Sequence, residues 1–133
     1  SDPQNITLKV LKILIPFAEK ISIIVILGPR YKYKKNILNL NKVIGNKIEV
    51  ISDKDNIDSY LASANLLITA VGLTIIEAMF LKVSCVCISN YKSDENDLKK
   101  LKKMPNVYVF GHYKNLLSNS EKISDIVTDV FAL

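Results

Sequence analysis

The stretch ITAVGLTIIEA, from Ile68 to Ala78, holds the residues best suited to chemistry on an anionic ligand. An apolar run ends at Ala70, Gly72 interrupts it, and Leu73 opens a helical pattern, so the glycine marks a strand-to-helix turn. Glycine there lets the backbone approach a ligand closely. The amides of Leu73 and Thr74 point outward from the helix start, and the Thr74 hydroxyl adds another partner. Diphosphate suits such a turn. Glu77, one helical turn beyond Thr74, brings a carboxylate to the same mouth, where it can accept hydrogen bonds from two adjacent sugar hydroxyls such as those of ribose. The Thr74-to-Glu77 spacing is equally that of a capping box, in which the two side chains serve the helix start and no ligand is involved.

Other reactive residue types offer less. His112 is the sole histidine and has no carboxylate or cysteine cluster near it in sequence, which reads as a surface loop residue rather than a catalyst. Cys85 and Cys87 lie two apart in an apolar run; on a strand they share a face but cannot close an ordinary disulfide. With no second ligand pair they read as small strand residues, so neither a metal site nor a cofactor is expected, and a reducing cytoplasm fits.

These residues need elements to position them. Asp2 and Pro3 are a cap followed by a first-turn proline, and Ile6, Val10, Ile13, Leu14 and Phe17 recur at helical spacing, which predicts a helix from about Pro3. Pro16 should kink or end it near Ile15. Ser22 to Leu27, closed by Gly28 and Pro29, reads as a strand buried on both faces. Tyr31 to Ile44 reads as a surface helix with Ile37, Leu40 and Ile44 on one stripe, ended by Gly45. Strands follow at Lys47 to Ile51, Leu66 to Ala70, Ser84 to Ile88 and Asn106 to Phe110. Between them fall a short helix capped by Asp55, a helix from Leu73 to Leu81, and an amphipathic helix from Asp94 to Lys103 after a polar loop. Leu116 to Phe131 closes the chain as a helix with Ile123, Ile126, Val127 and Val130 aligned.

Alternating strands and helices predict an α/β fold, a Rossmann-like three-layer domain with five parallel strands and helices on both faces. The chain opens on a helix where such units open on a strand, so a preceding strand is expected outside it. At 133 residues the length suits one domain, and no apolar run approaches the ~20 residues that span a bilayer. The net charge is +5, and seven of the 17 lysines cluster between Lys32 and Lys35 and between Lys99 and Lys103. Their helix-like spacing with apolar residues describes solvated helix faces rather than a nucleic-acid surface.

Three segments in order, SDPQNITLKVLKIL, ILGPRYK and ITAVGLTIIEA, resemble the C-terminal domain of the UDP-sugar hydrolase of pseudaminic acid biosynthesis and its spore-coat polysaccharide relatives. The similarity runs to about Ile88. More remotely, the G-x-T-x-x-E pattern is similar to the peptidoglycan N-acetylglucosaminyltransferase, another enzyme of two Rossmann-like halves (GT-B). The resemblance implies a Gly-Gly-Ser-Asp-Pro turn of which Ser1, Asp2 and Pro3 remain, with Ser1 and Asp2 facing the cleft between halves; Asp2 also suits helix capping. It further implies that Gly72, Leu73 and Thr74 hold a diphosphate and Glu77 the ribose. The family's Asn-Gln pair after the fourth strand has no counterpart, since Asn90 precedes Tyr91 and Asn96 precedes Asp97. Asn90 stays a candidate cleft residue.

The expected function is therefore the UDP-sugar-binding half of a nucleotide-sugar hydrolase or glycosyltransferase of cell-surface polysaccharide synthesis, completed by a missing N-terminal domain or partner chain. No catalytic base or nucleophile is evident in this half. A non-catalytic nucleotide-binding subunit and a plain α/β interaction module are the alternatives.

Overall fold

A computed structural model describes residues 2, 4–52 and 57–133. The chain divides into two compact units, residues 1–55 and 56–133.

In the first unit, helix α1 (Ile6–Leu14) buries Ile6, Val10 and Leu14 of the stripe that the helical spacing predicts, together with Leu11, while Ile13 and Phe17 are only half-buried. Pro16 ends it as expected: the chain tightens into a 3-10 turn over Ile15–Phe17. The helix opens at Ile6 rather than near Pro3, with Asn5, not Asp2, in the N-cap position; from outside the helix the Asp2 carboxylate accepts from the amides of Ile6 and Thr7 at 2.8 Å each. Strand β1 (Ile23–Leu27) pairs in parallel with β2 (Ile48–Ser52), Ile23 beside Ile48 and Leu27 beside Ser52. Burial on both faces is not what β1 shows, because Ile24 is 42% exposed. Helix α2 (Lys34–Val43) starts three residues later than expected. Its buried face carries Ile37 and Asn41, while Leu40 and Ile44 are only half-buried. Gly45, at φ 82°, and Asn46, at φ 57°, turn the chain out of the helix.

In the second unit, α3 (Ile57–Ser63) leads into β3 (Leu66–Ala70), α4 (Leu73–Phe80) and β4 (Ser84–Ser89). A 3-10 turn at Lys92–Asp94, α5 (Glu95–Leu101), β5 (Val107–His112) and α6 (Ser120–Val130) follow. The expected cap at Asp55 lies outside the described residues. Strands β3, β4 and β5 form a parallel sheet in that order. Leu61, Ile75, Ala78, Val83, Cys85 and Cys87 make a buried cluster, with Leu67, Met79, Leu101 and Val107 packed against it. Closing helix α6 buries Ile123, Ile126 and Val127.

Each unit is thus parallel α/β, the Rossmann-like class that the alternation predicts. Among the described residues, the five expected parallel strands pair as β1-β2 in the first unit and β3-β4-β5 in the second. Pairing partners are set by contacts distant in sequence, which the pattern along each strand does not encode.

A β-bulge shapes β5. Cys87 stands beside Val109 but Ile88 beside Gly111, so Phe110 is the extra residue. Gly111 adopts φ 109°, and the Lys122 ammonium donates to the carbonyls of Val109 and Phe110 at 3.1 Å each.

Candidate functional site

Parallel sheets bind ligands beyond the carboxyl ends of their strands. In the second unit the register shows what collects there. Ala70 pairs with Ile88, so Gly72 and Asn90 each lie two residues past the same matched pair. Ser89 pairs with His112 on the next strand. The turn before α4, the loop after β4 and the end of β5 therefore share one edge of the sheet.

Gly72 is the N-cap residue of α4, exposed and extended at φ 173°, a conformation open to any residue. Its glycine identity is not required by the backbone there. A Cβ built on Gly72 would meet nothing within 4 Å, so the space beside the turn is open. Leu73 and Thr74 are the first two residues of the helix, where amides lack intrahelical acceptors. Thr74 is half-buried. The capping-box alternative does not form: Thr74 lies inside the helix, and the cap carries no side-chain hydrogen bond. Glu77 is exposed and makes no hydrogen bond or ion pair with the described residues.

Asn90 is half-buried, yet its Oδ1 is fully buried and accepts no hydrogen bond from the described residues. Its neighbours are better satisfied. The buried Ser89 hydroxyl lies 2.8 Å from the Tyr91 carbonyl and 3.2 Å from Asp94 Oδ2, and the Tyr91 amide donates to the same carboxylate oxygen at 3.3 Å. Ser89 and Asp94 fix the loop that carries Asn90. Residues 56–133 hold eight lysines and eight acidic residues, so no net charge draws an anion to this edge. Local donors must do it.

His112 is the position that sequence reasoning undervalues. It is the last residue of β5, not a free loop residue, and stacks at 4.7 Å on Tyr113. Its Nδ1 accepts from the Lys114 amide at 3.3 Å. The bulge that brings it to this edge leaves no trace in alternating hydrophobicity; Gly111 just before it is the only local signal.

In the first unit, both carboxylate oxygens of Asp2 are engaged at the start of α1. Ser1 lies outside the described residues. Two cavities open in this unit. One, of about 470 Å³, lies at the amino ends of β1 and β2 against Ile23 and Ile48; the other, of about 210 Å³, lies at their carboxyl ends against Gly28, Tyr31, Lys34 and Ser52. Neither is lined by α4 or Asn90.

Cys85 and Cys87 are free, fully buried and 3.9 Å apart at sulfur. The hydrogen bond to Cys87, with burial added, pushes the Cys85 thiol well above its ordinary range. Among the described residues no three His, Cys, Asp or Glu side chains converge as a metal site requires. No described helix is long and apolar enough to cross a membrane.

No family model and no solved structure matches the chain. Over 90 residues, 66% of its length, it is 36% identical to an uncharacterized protein of Methanocaldococcus jannaschii, and the match spans 19% of that protein.

Proposed function

We propose that the chain is the UDP-sugar-binding part of a nucleotide-sugar hydrolase or glycosyltransferase that builds cell-surface polysaccharide. The observation that carries this reading is the unpartnered, buried Oδ1 of Asn90 on the same sheet edge as the open turn at Gly72. A buried acceptor left without a donor costs about 1–3 kcal/mol, a cost that a bound nucleotide or sugar N–H or O–H would relieve. In this reading the Leu73 and Thr74 amides hold the diphosphate and Glu77 the ribose hydroxyls. The free Glu77 carboxylate suits that role. The resemblance of ITAVGLTIIEA to nucleotide-sugar enzymes of the GT-B kind supports the same assignment, as does the free thiol pair for a cytoplasmic location. In this reading the chemistry belongs to another domain or a partner chain.

The test is calorimetric titration of the chain with UDP, with Glu77→Ala as the control. Loss of one charge-assisted hydrogen bond, worth about 1.5–3 kcal/mol, should weaken UDP by at least about tenfold. Equal affinity for both proteins would reduce Glu77 to a surface residue.

One observation favours the interaction-module alternative. Ile76 and Phe80, which flank Glu77 on α4, are 59% and 88% exposed. A chain with no measurable affinity for UDP would leave this apolar pair as the more informative feature of the helix.

A further inference from the structure

The net charge of the chain resides in its first unit. Residues 1–55 carry ten basic and five acidic side chains, whereas residues 56–133 balance at eight of each. The excess is concentrated on one loop: Arg30, Lys32, Lys34 and Lys35 fall between β1 and the first turn of α2, with no acid among them. All four are exposed, and none is ion-paired with a described residue. The described acids of this unit are engaged elsewhere. Asp2 accepts from the amides of α1, Glu19 pairs with Lys47, and Glu49 lines the cavity at the amino ends of the strands. Asp53, Lys54 and Asp55, outside the described residues, offset only one of the four charges.

The loop holds its aromatic residues in and its cations out. Tyr31 and Tyr33 alternate with the basic residues and are half-buried, in edge contact with ring centroids 5.7 Å apart. The Tyr31 hydroxyl donates to Asn5, and its amide donates to the Gly28 carbonyl at 3.2 Å, which fixes the turn after β1. Lys34 and Lys35 are the first two residues of α2, whose cap carries no side-chain hydrogen bond and whose first turn has no acid. The start of a helix is partially positive and is stabilised by anions, so two lysines there are repelled by the helix and by each other. Beside them, at the carboxyl ends of β1 and β2, opens the cavity of about 210 Å³. Lys34 brings an ammonium to it and Ser52 a hydroxyl that makes no hydrogen bond with the described residues. Sites that enclose a whole small ligand measure about 300–1,000 Å³, so this smaller space suits one compact group.

We propose that this cavity is a subsite for one phosphoryl group, free or as a monoester, with the Lys34 ammonium and the Ser52 hydroxyl as donors and Arg30, Lys32 and Lys35 supplying the surrounding positive field. A phosphoryl group carries about −1.5 to −2 charges at pH 7, which matches a cluster of unpaired cations better than a carboxylate does. Its binding relieves the repulsion at the start of α2. The proposal uses residues of the first unit alone and stands whether or not the α4 turn binds UDP.

Amide spectra of the isotope-labelled chain test it, recorded in about 0.15 M sodium chloride, where attraction between exposed charges is screened beyond roughly 8 Å. The titrants are inorganic phosphate, a hexose phosphate and acetate. Both phosphates should shift Gly28, Lys34 and Ser52 saturably, with a Kd of about 1 mM or tighter, and acetate should not. Lys34→Gln should weaken phosphate at least about tenfold yet unfold at the same or a higher urea concentration, because it removes a cation from a helix start. Lys42→Gln, in the last turn of the same helix, should leave phosphate binding unchanged. Cosedimentation with phosphatidylcholine vesicles, with and without phosphatidic acid, separates the sources. Retention on the phosphatidic acid vesicles that Lys34→Gln abolishes assigns a lipid headgroup, tighter binding of the hexose phosphate assigns a soluble ester, and neither leaves free phosphate as the ligand. Three results would each overturn the proposal: shifts that do not saturate, equal shifts with acetate, or phosphate affinity unchanged in Lys34→Gln.

Discussion

Asn41 of α2 and the backbone of Ile48 form a closed pair of hydrogen bonds. The Asn41 amide donates to the Ile48 carbonyl at 2.8 Å, and the Ile48 amide donates to Asn41 Oδ1 at 2.9 Å. Both residues are buried, so the carboxamide stands in for a neighbouring strand at the point where β2 begins. Asn41→Ala would strand two buried backbone groups at about 1–3 kcal/mol each, and a net loss of at least about 2 kcal/mol is expected in urea unfolding. Asn41→Leu restores the volume but neither hydrogen bond. A leucine variant as stable as the parent would show that packing, not hydrogen bonding, holds α2 to β2.

Tyr31 supplies a pH dependence. Its hydroxyl donates to Asn5 Oδ1, and burial, with the charge of Asp2 and the neighbouring Tyr33 added, pushes its pKa from 10.0 up to about 12. The neutral phenol is therefore favoured by folding. Stability from this group is fully present below pH 10 and is lost as pH rises towards 12. Urea midpoints across that window should fall more steeply for the parent than for Tyr31→Phe, which has no phenol to ionise. Parallel slopes would mean that Tyr31 titrates alike in both states.

The bulge in β5 predicts a coupled pair of losses. Gly111→Ala meets no atom within 4 Å, so its cost is backbone strain at φ 109°, about 1–3 kcal/mol. Lys122→Met keeps the stem but removes both hydrogen bonds, expected at about 1.5 kcal/mol. Because both changes loosen one feature, the double variant should lose less than the sum. Strict additivity in a double-mutant cycle would separate the lysine from the bulge.

What was legible in the sequence was local. Leu66–Ala70 is a strand over the predicted residues, and Pro16 ends α1 because a missing donor and a ring clash act within one turn. Contacts distant in sequence were not legible. Tyr31 reads as the start of a helix, but its hydrogen bond to Asn5, 26 residues away, accompanies a loop that delays α2 to Lys34. Likewise α6 begins at Ser120 rather than Leu116, since Tyr113–Asn115 forms a 3-10 turn. At the candidate site, Gly72 and Glu77 were readable from spacing because one strand-to-helix turn carries both. Asn90 could be named only through the resemblance, and its buried oxygen depends on a loop tied by Ser89 and Asp94.

Asn90 gives the last prediction, in which stability and binding should move in opposite directions. In the free chain its Oδ1 is a buried acceptor without a donor, an unfavourable arrangement that persists where function requires it. Replacing it with leucine, close in shape but without polar atoms, removes that penalty. Asn90→Leu should therefore unfold at the same or a higher urea concentration, with a gain of up to about 1–3 kcal/mol. If the oxygen serves a ligand donor, the same variant should bind UDP or a UDP-linked amino sugar at least about tenfold more weakly, the affinity equivalent of one good hydrogen bond. Paired unfolding and titration measurements on one preparation separate the outcomes. A variant that loses stability and keeps its affinity would make Asn90 a structural residue and remove the main support for a nucleotide-sugar site at this edge.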